Sequence, residues 1–145
     1  MGTFTRNIQI RWSDLDPNFH LCHSVYYDWG AFCRVEYLYS IGLTAEKLKE
    51  MSLGPILFRE ECVFKKEIRY EDNVTINMVA LNAKKDFSRW SVRHEIKKNG
   101  GVLAALITVD IAWMNTIRRK LAKLPPEVQV LFDNIPKAGS FFWLD

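Results

Sequence analysis

Hydrophobic and polar positions alternate from Arg6 to Trp12, with Ile8, Ile10 and Trp12 on one side and Asn7, Gln9 and Arg11 on the other. A period of two over such a run predicts a half-buried strand. Residues 13–22 then carry Ser13, Asp14, Asp16, Pro17 and Asn18, which is loop chemistry. Ser24 is a fair N-cap for a helix that runs to about Ile41 and stops at Gly42. Within it only Asp28, Arg34 and Glu36 are charged, and they share no face, so a helix buried almost all round is expected. A shorter, more polar helix fits Thr44 to Met51.

Strands follow. From Ile56 to Tyr70 the even positions are mainly apolar and the odd ones mainly polar. Asp72-Asn73 makes a turn, and Val74, Ile76, Met78 and Ala80 begin the next strand. Trp90, Val92 and Ile96 then oppose Arg89, Ser91, Arg93, Glu95 and Lys97, and Asn99-Gly100-Gly101 closes a hairpin. Val102 to Met114 is apolar on both faces except at Thr108 and Asp110, as a central strand covered on both sides would be. Pro125-Pro126 precedes a short helix, and Ser140 to Leu144 is an aromatic tail. The order predicts an α+β fold: a long antiparallel sheet of five strands curled round one buried helix. An open edge of such a sheet needs cover, and pairing with a second copy supplies it.

Composition narrows the class. The chain has 145 residues, enough for one domain spanning 1–145 that buries about 69 % of its unfolded surface. Hydrophobic residues at 48 % and charged ones at 26 % exclude disorder. The net charge of +3 comes from short clusters such as Lys65-Lys66 and Arg118-Arg119-Lys120. These read as solvated strand ends or as a landing surface for a phosphate-rich ligand, and no nucleic-acid partner is expected. No apolar stretch is long enough for a membrane span, and the N-terminus resembles no signal peptide. A reduced, cytoplasmic protein is expected, with Cys22, Cys33 and Cys62 as free thiols. His20, Cys22 and His23 lack a second ligand pair at zinc-like spacing, so no metal is expected.

Chemistry concentrates between Asp14 and Ser24. Two carboxylates (Asp14, Asp16) and two imidazoles (His20, His23) fall in the loop that feeds the long helix. The first turn of a helix offers unpaired N–H groups and partial positive charge, which in a low-dielectric pocket would suit an oxyanion. A carboxylate just upstream could attack a carbonyl held there, or deprotonate water. Turn and cap chemistry is the competing reading of the same residues. No nucleophile elbow, phosphate loop or HExxH motif is present. His94, between Val92 and Ile96, reads as a core or interface histidine, and Asp110 needs a partner in its covered strand.

The run Arg11-Trp12-Ser13-Asp14-Leu15-Asp16, then His20, His23 and Tyr26, and the helix segment Cys33 to Leu38, resemble the signature of hotdog-fold acyl-CoA thioesterases. The likeness is to the 4-hydroxybenzoyl-CoA thioesterase and YbgC-like group, and it extends through Tyr70 to Val74 and Leu124 to Glu127. It implies a hotdog fold and hydrolysis of an acyl thioester of coenzyme A or of acyl carrier protein. Asp16 would be the catalytic carboxylate, as nucleophile or as general base. The backbone N–H of His23 would polarise the thioester carbonyl, while His20 and Tyr26 would line the substrate site. No cofactor is implied beyond the coenzyme A of the substrate, and the expected assembly is a homodimer, or a homotetramer by a second pairing.

Phe19 stands where the family commonly has glycine. Either the loop takes another path, or Phe19 fills part of the acyl pocket and joins the substrate-binding residues. Phe19 also keeps open a non-catalytic acyl-binding or assembly protein with a degraded site. A hotdog dehydratase would need a helix Glu or Asp, and Asp16 in the loop argues against it. Glu36 lies about 18 Å past the helix start and reads as a structural ion pair. Asp28, one turn in, favours the helix dipole.

Overall fold

The computed structural model describes residues 3–145. Strand β1 (Thr5–Ile8) leads through a short 3-10 turn (Trp12–Asp14) to helix α1 (His23–Ser40), and α2 (Ala45–Glu50) follows. Then come β2 (Leu53–Phe64), β3 (Val74–Asn77), β4 (Val79–Lys84), β5 (Arg89–Lys98) and β6 (Val102–Asn115). A short β7 (Lys120–Leu121), helix α3 (Pro126–Phe132) and β8 (Lys137–Leu144) complete the chain.

β2, β6 and β5 pair antiparallel in that order, and β5 pairs next with both β3 and β4. The last two are one strand interrupted at Met78, whose N–H turns to the Phe4 carbonyl at 3.1 Å. β1 continues the sheet beside β3, and β8 lies parallel to β4. The alternation of β5 holds as expected: Trp90, Val92, His94 and Ile96 are buried, while Arg89 and Lys97 are not. β6 is dry on one face only: Ala105, Ile107, Val109 and Ile111 are essentially inaccessible, whereas Leu106, Thr108 and Asp110 on the other face are half-buried, so the expected cover on both sides is found on one. Asp110 finds its partner in the Ser91 hydroxyl, which donates to it at 2.7 Å.

Helix α1 packs a stripe of Val25, Tyr26, Trp29, Cys33 and Tyr37 on the concave side of the sheet. Residues three and four apart share a helix face, so this stripe is one side only. The other side is apolar but open: Phe32, Val35 and Tyr39 are 42, 50 and 49 % exposed. The expectation of a helix covered all round is therefore corrected, because one chain wraps only half of it. Its cap also differs, since the helix begins at His23 with Cys22 as N-cap and Ser24 inside the first turn. The second helix is capped by Thr44, whose hydroxyl accepts from the Lys47 N–H at 3.2 Å.

Three further expectations are revised. Trp12 leaves the first strand for the 3-10 turn and is 68 % exposed. β2 ends at Phe64, and Leu57, Phe58, Val63 and Phe64 are all exposed, so neither of its faces is the dry one its alternation suggested. β2 pairs only with β6, which leaves its other edge, twelve residues long, unpaired among the described residues. The aromatic tail is strand β8, held by a parallel ladder that local pattern does not announce. α3 closes the end of the sheet by inserting Phe132 among Phe87, Trp90 and Trp113, with ring centroids 5.3–5.7 Å apart.

Candidate active site

The loop before α1 is a tight β-turn structure. Leu15 and Leu21 bridge antiparallel, the Asp16 N–H donates to His20 O at 2.8 Å, and the Phe19 N–H donates to Asp16 O at 2.9 Å. A turn of this kind ends in a residue with left-handed backbone, a place glycine fills at least cost. Phe19 fills it here at φ +63°. An L-residue held there costs about 1–2 kcal/mol. The ring is 64 % exposed and lies against Trp12, with centroids 6.2 Å apart. The loop thus keeps a glycine-like path, and within this chain Phe19 lies outside the cavity beside Asp16. The loop is not rerouted by the missing glycine, and within this chain the Phe19 ring does not line the Asp16 cavity.

The two aspartates separate sharply. Asp14 is 2 % exposed and fully engaged: Oδ2 accepts from the Arg11 N–H at 2.8 Å, and Oδ1 from the Arg11 guanidinium at 2.9 and 3.2 Å. Its own carbonyl accepts from the Cys22 N–H at 2.8 Å and so fixes the entry to α1. Burial pushes the Asp14 carboxyl up, but the Arg11 hydrogen bonds outweigh it and hold the pKa below the ordinary value. Asp16 is half-buried, and only Oδ1 is engaged, accepting from the N–H groups of Asn18 (2.9 Å) and His20 (3.2 Å). Those bonds orient the carboxylate and leave Oδ2 with no hydrogen bond among the described residues.

Asp16, His20, His23 and Tyr26 line one cavity of about 330 Å³. The structure therefore brings together four of the five residues singled out in the sequence. His23 is the first residue of α1, and its backbone N–H is one of the donors that a helix start leaves without an intrahelical acceptor. Tyr26, one turn on, is 4 % exposed, and burial raises its phenol to about 12. Its ring meets Phe64 edge-on, with centroids 4.9 Å apart.

The remaining wall comes from Leu21 and from Phe64, Lys65, Lys66 and Glu67, of which the sequence marked only Lys65-Lys66, as a basic cluster open to a phosphate-rich ligand. Phe64 to Glu67 lie some forty positions downstream, and local pattern holds no signal that they join the Asp16 loop. Two tertiary contacts deliver them, a bridge between His20 and Arg69 and the Leu21 N–H donated to Ile68 O at 2.8 Å. His20 Nε2 then sits 3.0 Å from Glu67 Oε2, and Arg69 holds the same carboxylate at 2.7 Å. The backbones of Lys65 and Lys66 are pinned by donating to Ala104 O at 2.8 and 3.0 Å, which leaves two cationic side chains at the rim.

Other carboxylates and the third histidine are accounted for elsewhere. Glu36 accepts from Arg6 at 3.3 Å, and Asp28 is exposed on α1 outside this cavity. His94 is wholly buried, with Nδ1 2.9 Å from Asn77 O and Nε2 3.0 Å from the Arg34 guanidinium. Burial is the main reason its pKa falls to about 3, with the Arg34 charge acting in the same direction. The ring is neutral, so Nδ1 carries the proton donated to Asn77 and Nε2 accepts from Arg34.

Comparison with known proteins places this geometry. The family model described as the thioesterase-like superfamily matches residues 10–132. The chain belongs to the thioesterase-like superfamily. No curated protein matches it by sequence. Among solved structures, this superfamily member resembles a hypothetical protein from Staphylococcus aureus in complex with CoA. That match has a TM-score of 0.84 at 18 % identity, over 94 % of this chain and 88 % of that one. It also resembles a 1,4-dihydroxy-2-naphthoyl-CoA thioesterase from Synechocystis, with a TM-score of 0.81 at 19 % identity, over 92 % and 97 % of the two chains. A DHNA-CoA thioesterase from Staphylococcus aureus gives 0.81 at 17 % identity, over 90 % and 89 %. Identities this low speak to the fold, and the fold is the α+β hotdog expected from the sequence. The resemblance to hotdog acyl-CoA thioesterases is likewise upheld. No helix among the described residues is long and apolar enough to cross a membrane.

Proposed function

We propose that this protein hydrolyses an acyl thioester of coenzyme A at the cavity between the Asp16 loop and the start of α1. The observation that carries the reading is a carboxylate with one free oxygen facing the same cavity as an uncapped helix N-terminus. The thioester carbonyl oxygen would take the N–H of His23, where the positive end of α1 stabilises the charge that develops on it. Asp16 Oδ2 would then either add to the carbonyl carbon or take a proton from the attacking water. The C–S bond breaks, the thiolate leaves and is protonated, and water supplies the hydroxyl of the free acid. In the nucleophilic variant, water cleaves an anhydride at Asp16 in a second step.

Lys65 and Lys66 at the rim are placed to meet coenzyme A phosphates, which supports a CoA ester over a neutral thioester. The neighbours named above, one bound to CoA and two acting on a CoA ester, agree with that choice. The chemistry uses Asp16, water and a backbone donor, with coenzyme A as part of the substrate. The unpaired edge of β2 adjoins the cavity through Phe64, and we place the homodimer contact there. Phe19 no longer favours a degraded site, because its glycine-like backbone leaves the Asp16 turn intact.

Thiol release from a panel of acyl-CoA and acyl-carrier thioesters tests the reading. Asp16→Asn should lower turnover by at least about 10²-fold, the lower range for loss of a general base. Asp14→Asn should act on stability instead, since Asp14 is committed to Arg11. Equal, mild effects of both on turnover would reduce the loop to turn chemistry and overturn the proposal.

A further inference from the structure

The basic run Arg118-Arg119-Lys120 lies in the hairpin that joins β6 to β7 and lines no part of its own chain's Asp16 cavity. The tip of that hairpin is tightly built. Asn115 Oδ1 accepts from the N–H groups of Ile117 (3.0 Å) and Arg118 (2.8 Å), and the Asn115 carbonyl accepts from the Arg119 N–H at 2.8 Å. Its base is seated on the start of β2. The Thr116 N–H donates to Ser52 O at 2.9 Å, and a Cβ added at Gly54 would come within 3.2 Å of Thr116 Cγ2. The turn is therefore a firm platform for the side chains it carries.

Those side chains combine two characters. Ile117, at the apex, is 77 % exposed, the highest value for a large apolar side chain among the described residues, and Leu121 of β7 is 47 % exposed. Arg118, Arg119 and Lys120 stand between them, all exposed. None of the three forms an ion pair with a carboxylate among the described residues. The chain has no acidic residue at all between Asp110 and Glu127. Arg119 also takes φ +60°, a left-handed backbone that strains an L-residue and that glycine adopts freely. A turn that served only to reverse the chain would be cheapest with glycine there. Arginine bears the strain and adds charge at the tip.

Each half of the pattern is common alone, since single exposed apolar residues and solvated cations occur on most surfaces. The combination is selective. A cation cluster fits any phosphate, but an isoleucine held out at the apex gains nothing from a soluble phosphate or a nucleic-acid backbone. At a bilayer it enters the boundary of the acyl region, while the flanking cations stay among the headgroups. Such contact needs no spanning helix, and none is present among the described residues.

We propose that the β6–β7 hairpin docks this protein on anionic phospholipid surfaces, with Ile117 inserted at the apex and Arg118, Arg119 and Lys120 against the lipid phosphates. The inference is independent of the thioester reading and of β2 pairing. Flotation with vesicles of phosphatidylcholine alone, and of phosphatidylcholine mixed with phosphatidylglycerol, tests it. The parent protein should bind the mixed vesicles at least about 10-fold more tightly, and added salt should weaken that binding. One cation near such a surface is worth about 5-fold in affinity, so Arg118→Glu/Arg119→Glu should lose at least about 25-fold. Lys84→Glu/Lys85→Glu makes the same change in net charge elsewhere on the surface and should lose much less. Ile117→Ser should lose about 10-fold and keep the preference for anionic lipid. Ile117→Trp should bind at least as tightly as the parent, because tryptophan favours the bilayer interface, so a loss confined to serine is not a disturbed turn. Equal binding to both vesicle types, or equal losses in the two charge-swapped variants, overturns the proposal. Parent-like binding by Ile117→Ser would also overturn it, leaving a phosphate-binding patch without insertion. Release from the vesicles by coenzyme A beyond that by sulfate at equal ionic strength would assign the patch to a soluble ligand instead.

Discussion

Phe19 offers a sign test of the loop that carries Asp16. With φ at +63°, any L-residue there keeps its Cβ against the neighbouring carbonyl, which costs about 1–2 kcal/mol. Glycine removes that clash but returns conformational freedom to the unfolded chain, worth about 0.5–1 kcal/mol. Phe19→Gly and Phe19→Ala lose the same exposed ring and the same Trp12 contact, so those losses cancel between them. The glycine variant should therefore be the more stable of the two by about 1 kcal/mol, whereas inside a helix or strand alanine wins by a similar amount. Urea unfolding followed by tryptophan fluorescence, at one protein concentration, measures the difference. Because the ring lies outside the Asp16 cavity, Phe19→Gly should also keep the wild-type order of acyl substrates. Alanine equal to or better than glycine would refute the left-handed turn, and with it the placement of Asp16 Oδ1 under two backbone donors.

His94 makes stability depend on pH. Its folded pKa near 3 lies below the ordinary 6.5, so the unfolded chain takes up a proton that the fold refuses; stability is complete above the unfolded value and falls as pH drops below it. From this group alone the loss between pH 7 and pH 5 should be about 2 kcal/mol in urea unfolding, and His94→Gln, though less stable at pH 7, should lack that slope. Assembly is checked by light scattering at micromolar protein, where the unpaired β2 edge predicts at least twice the 17.0 kDa of one chain. A clean monomer would remove the β2 interface.

Several parts of the molecule were legible because they are written in adjacent residues. The alternation of β5, the apolar run of β6 and the Thr44 cap depend on the local period of two or on a side chain reaching three residues ahead. Asp16, His20 and His23 were legible for a similar reason, since one turn and one helix start hold them within a short stretch of chain, and the family resemblance added Tyr26. Pattern alone treats Asp14 and Asp16 alike, since both are loop aspartates, and Asp16 was singled out by the family resemblance. Tertiary packing agrees with that choice by burying Asp14 against Arg11 and leaving an oxygen of Asp16 free.

What the chain fixed by itself was therefore the kind of fold and the half of the site that precedes and begins α1. Only the tertiary structure joined Phe64 to Glu67 to that half, because a β-bridge from His20 to Arg69 spans a separation that no periodicity encodes. The same holds for the exposure of α1 and β2. Apolar sequence states that a surface seeks cover, whereas the path of the sheet decides whether this chain provides it. Here it covers one side of the helix and leaves Phe32, Val35, Leu57 and Phe58 open. Phe19 shows the reverse order of control: the hydrogen bonds of the Asp16 turn impose a glycine-like backbone on a residue whose own preference opposes it.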